Sequence, residues 1–196
     1  MDYVVIDRLL DSWGKGDRDS LDELMGLVYH ELHRTASAIL RGEATANRTR
    51  PTSLVSSLYL ELQRQGRLEA RNQKHFFGIA AYLMRQILVA NARKRLAEKR
   101  GAGAGALSLS NEQIAALVEQ GGDWQDKHEL LVAINEALGR LEQFDPTKAA
   151  IVDLRFFADL SVEATADALN ISPSSVKRHW AVARVWLLQQ LGTAQS

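Results

Sequence analysis

A chain of 196 residues with 46% hydrophobic content can bury a sizeable core, as one large helical domain or as two small ones. It contains no cysteine, which excludes disulfides, thiolate metal sites and cysteine nucleophiles and fits a reducing, cytoplasmic setting. Its formal net charge of zero conceals a segregation: residues 1–100 carry 17 Lys and Arg against 12 Asp and Glu, whereas residues 101–145 carry two against eight.

The N-terminal Met-Asp-Tyr-Val-Val-Ile-Asp is acidic and soon interrupted by charge, so it reads as neither a signal peptide nor a membrane span. Val4 to Trp13 forms a first short helix. Leu21, Leu24, Met25, Val28, Leu32 and Ile39 then keep a 3.6-residue period and predict a long amphipathic helix over residues 20–41. After a polar gap, Pro51-Thr52-Ser53 precedes Leu54, Val55, Leu58 and Leu62, a third helix stopped by Gly66. From His75 the period resumes through Phe76, Ala80, Leu83 and Ile87, and a fourth helix runs to about Arg100.

Gly-Ala-Gly-Ala-Gly at 101–105 is the clearest breaker in the chain, and it opens a stretch that reads as a flexible acidic linker. Beyond it lies an apolar stripe of Leu130, Leu131, Ile134, Leu138 and Leu141. It is ended by Asp145, suited to cap the next helix, and Pro146, suited to begin it. That helix is expected over Thr147–Phe157. Two more follow, Val162–Leu169 and Pro173 to about Leu191, joined by only Asn170, Ile171 and Ser172. The fold class is therefore all-α, with two small helical domains, residues 1–100 and 128–196, tethered by the linker at 101–127.

The last two helices have helix-turn-helix spacing. Ala166 is small where the helices must approach, Leu169, Ile171 and Val176 can fill the wedge between them, and Asn170 suits a turn that requires positive φ. Ser172 can cap and Pro173 can occupy the first helical position. Val176, Trp180, Ala183 and Leu187 share one face of the last helix, and Ser174, Lys177, Arg178 and Ala181 share the other. A basic face of small residues fits a major groove, with Arg178 near base edges or phosphates and Lys177, Ser174 and Arg184 as positioning contacts. The simpler reading is a helical hairpin with a solvated basic face.

Two further features carry charge. Arg85, Arg93, Lys94, Arg95, Lys99 and Arg100 crowd the fourth helix against Glu98 alone, and can track a phosphate backbone or merely complement a helix C-terminus. Arg48, Thr49 and Arg50 lead into Thr52 and Ser53, whose hydroxyls can cap the third helix. Alternatively, they can take a phosphate where the helix dipole and the arginines favour a dianion. The segment His30-Glu31-Leu32-His33 lacks the four-residue histidine spacing of a zinc protease and has no evident third ligand. No phosphate-cradling loop or activated serine is recognisable, so no catalytic residue, metal or cofactor is expected.

Leu160-Ser161-Val162-Glu163 through Ala168-Leu169-Asn170-Ile171-Ser172-Pro173, followed by Val176-Lys177-Arg178, Trp180, Ala183-Arg184 and Trp186-Leu187, resembles region 4 of the extracytoplasmic-function (ECF) sigma factors, small bacterial members of the sigma-70 family. Residues 76–100 resemble region 2. The resemblance implies a non-enzymatic factor for transcription initiation. Its N-terminal domain would bind the beta-prime clamp helices of RNA polymerase core and melt the minus-10 element, and its C-terminal domain would bind the minus-35 element and the beta flap. By family position Leu54, Val55, Leu58, Tyr59 and Leu62 belong to the polymerase-facing helix, and Arg85, Asn91, Arg93, Lys94 and Arg95 to the promoter-facing one.

The acidic cluster that usually opens the polymerase-facing helix is replaced here by Arg-Pro-Thr-Ser-Leu-Val-Ser-Ser. That departure resembles the subgroup associated with Ser/Thr protein kinases, and it implies that phosphorylation, at Thr52 or Ser53, supplies the missing charge. The competing reading of the same residues is a stand-alone helix-turn-helix regulator of duplex operator DNA.

Overall fold

The computed structural model describes residues 3–40, 49–67, 70, 72–100 and 128–193. Within them the chain is helical throughout: α1 Tyr3–Gly14, α2 Asp19–Ile39, α3 Pro51–Gln65, α4 Gln73–Arg100, α5 His128–Phe144, α6 Pro146–Val152 continuing into a π turn at Asp153–Phe157, α7 Val162–Leu169 and α8 Pro173–Thr193. The expected linker at 101–127, Arg48 and the side chains of Lys99 and Arg100 lie outside the described residues.

Local chemistry sets most of the boundaries. Asp17 receives the Asp19 amide at 3.2 Å and the Ser20 hydroxyl at 2.6 Å at the start of α2. At the start of α4, Asn72 accepts from the His75 amide at 2.8 Å, while Asp7 of α1 accepts from the Gln73 amide at 2.9 Å and pins the two helices together. Gly66 ends α3 at φ 75°, a left-handed conformation that glycine adopts without a Cβ penalty. Asp145 accepts from the Lys148 amide and Pro146 opens α6, satisfying an amide that the helix itself cannot. Gly139, in the interior of α5, has no atom within 4 Å of an added Cβ. Gly139→Ala is therefore expected to stabilise the protein by about 1 kcal/mol, seen as a rise of about 2–4 °C in the thermal midpoint.

The apolar faces of α1 to α4 close around Ile6, Leu10, Trp13, Leu24, Leu32, Leu54, Leu58, Leu62 and Phe76, all fully buried. That core does not stop at α4. It continues through Leu88 and Val89 into Leu131, Ile134 and Leu138 of α5, then into Val152, Phe157, Ala183 and Leu187. A smaller cluster of Ile151, Ala166 and Val176 holds α7 against α8. The N-terminal and C-terminal halves thus pack side by side through α4.

The helix expected over Thr147–Phe157 is correct in extent and differs in its second half. There the Ala158 amide reaches back five residues to the Asp153 carbonyl at 3.0 Å, widening the turn. The wider turn carries both Asp153 and Phe157 inward, where both are buried.

Candidate functional site

The helix-turn-helix is built as its residues dictate. Asn170 sits at φ 54° and ψ 46°, and the Ile171 amide reaches the Ala166 carbonyl at 3.0 Å, folding the chain back sharply after α7. Ser161 caps α7 by accepting from the Ala164 amide at 3.0 Å, and Ser172 caps α8 by accepting from Ser175 at 3.1 Å. Val176 is buried against Ile151 and Ala166, with Leu169 and Ile171 packed beside it.

Anchored in this way, α8 turns Ser174, Lys177, Arg178 and Ala181 to solvent, while Trp180 and Arg184 are half-buried. Arg155 reinforces the anchor: its guanidinium lies 5.8 Å from the Trp180 ring centroid and donates to the Leu160 carbonyl. The cationic face is therefore held by rigid packing from behind, as a surface that enters a groove must be.

On α4 the candidate cations separate. Asn91, Arg93 and Lys94 are exposed and Arg95 is half-buried, but Arg85 is only 2% exposed. Arg85 Nε donates to Asp153 Oδ1 at 2.5 Å, Nη2 donates to Asp153 Oδ2 at 3.2 Å, and Nη1 donates to Asn135 Oδ1. Its Cζ also lies 5.1 Å from the Tyr82 centroid and 5.6 Å from that of Phe157. The expectation that Arg85 faces promoter DNA is thus corrected for this arrangement, because the side chain is enclosed by its own C-terminal half. Arg93 also points that way, 3.6 Å from Glu136.

A second correction concerns α3. Leu54, Leu58 and Leu62 point into the core and are fully buried, and Val55 is 2% exposed at the floor of a groove, so none of the four forms the outward surface of α3. The exposed residues of α3 are Thr52, Ser53, Ser56, Leu60, Gln63, Arg64 and Gln65, with Tyr59 and Ser57 half-buried. Tyr59 Oη donates to Asp22 Oδ1 at 2.5 Å and accepts from Gln63 Nε2 at 2.5 Å. The hydrogen bond that the phenol donates to Asp22 raises the Tyr59 pKa, because it is lost with the proton, and the neighbouring carboxylate charge adds to the effect. Between α2 and α3 lies a groove of about 620 Å³, lined by Asp22, Met25, Tyr29, Val55, Tyr59 and Leu60. Leu60 is 63% exposed at its rim.

Thr52 and Ser53 do not cap α3. Arg50 occupies the cap position without a side-chain bond, Pro51 opens the helix, and the Thr52 carbonyl accepts from Ser56 Oγ at 2.9 Å. Glu61, the one carboxylate of α3, is bound by both Arg64 Nε at 2.9 Å and Arg64 Nη2 at 2.6 Å. The Arg64 and Gln65 hydrogen bonds hold its pKa down to about 2. The outward start of α3 is thus without negative charge.

The His30–His33 segment gathers no ligand set. Glu31 pairs with Arg34 at 2.6 Å, and His33 lies 6.0 Å from the Tyr29 ring. Among the described residues no group of three or more potential ligands is placed to hold a metal ion.

A family model described as ECF sigma factor matches residues 4–193, nearly the entire chain. The chain belongs to the ECF sigma factors. No curated protein and no solved structure matches it. As an ECF sigma factor it directs transcription initiation, working with RNA polymerase core and promoter DNA. No helix among the described residues is long and apolar enough to cross a membrane. The groove residues Tyr29 and Leu60 and the interior acceptors Asn135 and Asp153 were not singled out from the sequence, and Met25 was read only as part of the apolar face of α2. Asp153 carried a signal, as a lone carboxylate in the apolar run from Ala149 to Phe157.

Proposed function

We propose that this ECF sigma factor reads the upstream promoter element with Ser174, Lys177, Arg178 and Arg184 of α8. Asn91, Arg93, Lys94 and Arg95 of α4 engage the downstream element, and residues 1–100 and 128–196 act as the two functional domains. The observation that carries this reading is the exposed Lys177 and Arg178 face, set by the left-handed turn at Asn170 and a fully packed opposite face. Core polymerase meets the outward face of α3 and its groove, at Tyr59 and Leu60. A gel shift of promoter DNA with and without core polymerase tests it. Retention only with core supports the sigma reading, and equal retention by the free chain supports a stand-alone helix-turn-helix regulator.

The same reading includes a switch. Phosphorylation of Thr52, or of neighbouring Ser53, by a Ser/Thr protein kinase adds a charge of about −1.5 to −2 to the uncharged start of α3, where the helix dipole favours an anion. This dianion takes the place of the missing acidic cluster against the basic clamp. Phosphorylated protein is expected to bind core polymerase at least about tenfold more tightly than the unmodified chain, through one or more new charge-assisted hydrogen bonds. Thr52→Ala should abolish the gain. Tight binding by unmodified protein, indifferent to Thr52→Ala, overturns the switch.

A further inference from the structure

We propose that the free protein is held closed by a latch along α4, in which acidic side chains of the C-terminal half pair with α4 cations, Arg93 of the proposed promoter face among them, and that promoter engagement follows its opening. The inference rests on the sigma-factor reading and adds a means of regulation to it.

Among the described residues, ion pairs at three points along α4 tie it to the other half. Near its start Lys74 Nζ meets Asp167 Oδ2 of α7 at 2.9 Å; midway, Arg85 meets Asp153 of the π turn; further along, Arg93 meets Glu136 of α5 at 3.6 Å. The outer two pairs are more than half exposed and set the register of the contact, while the central one is enclosed between Tyr82 and Phe157. Asp153 receives the guanidinium fork in the two-point manner in which a phosphate would receive it, so Arg85 cannot hold Asp153 and nucleic acid together.

The latch is closed yet openable. Burial pushes the Asp153 carboxyl above its ordinary range despite the adjacent guanidinium, so desolvation cancels much of the attraction within the pair. Opening returns both charges to water, whereas removing one partner strands the other. Changes at this pair should therefore act in opposite directions. Asp153→Asn leaves the Arg85 charge unmatched and favours the open form, while Arg85→Met with Asp153→Leu replaces the pair by apolar contact and favours the closed one.

The absence of cysteine gives a direct test. Lys74→Cys with Asp167→Cys places two unique thiols across the latch, at residues outside the proposed DNA and polymerase contacts. A short, reducible thiol-to-thiol crosslinker should join them readily in the full-length free chain. In this background Asp153→Asn, shown folded by circular dichroism, should slow crosslinking about tenfold, and the apolar double replacement should leave it unchanged or faster. With core polymerase, the crosslinked chain should initiate from its promoter at least about tenfold less than the same sample after reduction. Crosslinking rates indifferent to both replacements, or full initiation by the locked chain, overturn the latch. If the reduced chain also fails to initiate, the sigma-factor reading is at fault, and the crosslinking rates, measured without polymerase, still decide the latch.

Discussion

Alanine at both Lys177 and Arg178 is expected to remove recognition of the upstream promoter element while leaving the fold intact. Both side chains are exposed on α8, and neither reaches into the cluster of Ile151, Ala166 and Val176 that holds α7 and α8 together. Surface changes of this kind shift stability by no more than about 0.5 kcal/mol. An arginine contacting a base edge contributes about 1–3 kcal/mol, so Arg178→Ala alone should weaken the cognate site about ten- to a hundredfold and flatten preference at one position. Lys177→Ala, as loss of a phosphate contact, should weaken all sites alike and reduce the salt slope by about one. Titrating holoenzyme on cognate and altered upstream elements at several salt concentrations separates the two. An unchanged preference in the double variant would place recognition on another surface.

Features governed by nearest neighbours were legible in the sequence, and those set by distant partners were not. Asn170 had to be left-handed because three residues join α7 to α8, and Asp145-Pro146 announced a cap and a first turn because both roles are local. The periodic spacing of Leu21, Leu24, Val28 and Leu32 likewise identified the buried face of α2. Arg85 shows where such reasoning ends. An arginine in a basic helix looks solvated, and its burial follows from Asp153 and Asn135, 68 and 50 positions away, brought within reach by a π turn that leaves no mark on hydrophobic periodicity. The packing of α4 against α5 was beyond sequence reasoning for the same reason, since apolar stripes state what must be buried without naming the partner.

Helix α3, proposed to face polymerase, yields the sharpest separation of core from surface, because nearby leucines on it have opposite environments. Leu58 is 0% exposed and Leu60 is 63% exposed. Leu58→Ala is expected to cost about 2–5 kcal/mol through lost burial and the cavity left behind, lowering the thermal midpoint by about 5–20 °C. Any fall in polymerase binding would then track the folded fraction. Leu60→Ser should leave the melt unchanged and weaken core binding by about tenfold or more, as expected for an apolar anchor at the rim of a groove. Paired melting and binding curves for the two variants decide the matter. Family position alone grouped Leu58 with Tyr59 as contacts, whereas adjacent residues of a helix face different ways, so the proposed contact surface on α3 is read from the exposed positions 52, 53, 56, 60, 63 and 64. If Leu60→Ser binds core polymerase as the parent does while Leu58→Ala loses binding in a sample that remains fully folded, the assignment of the outward face of α3 to polymerase fails.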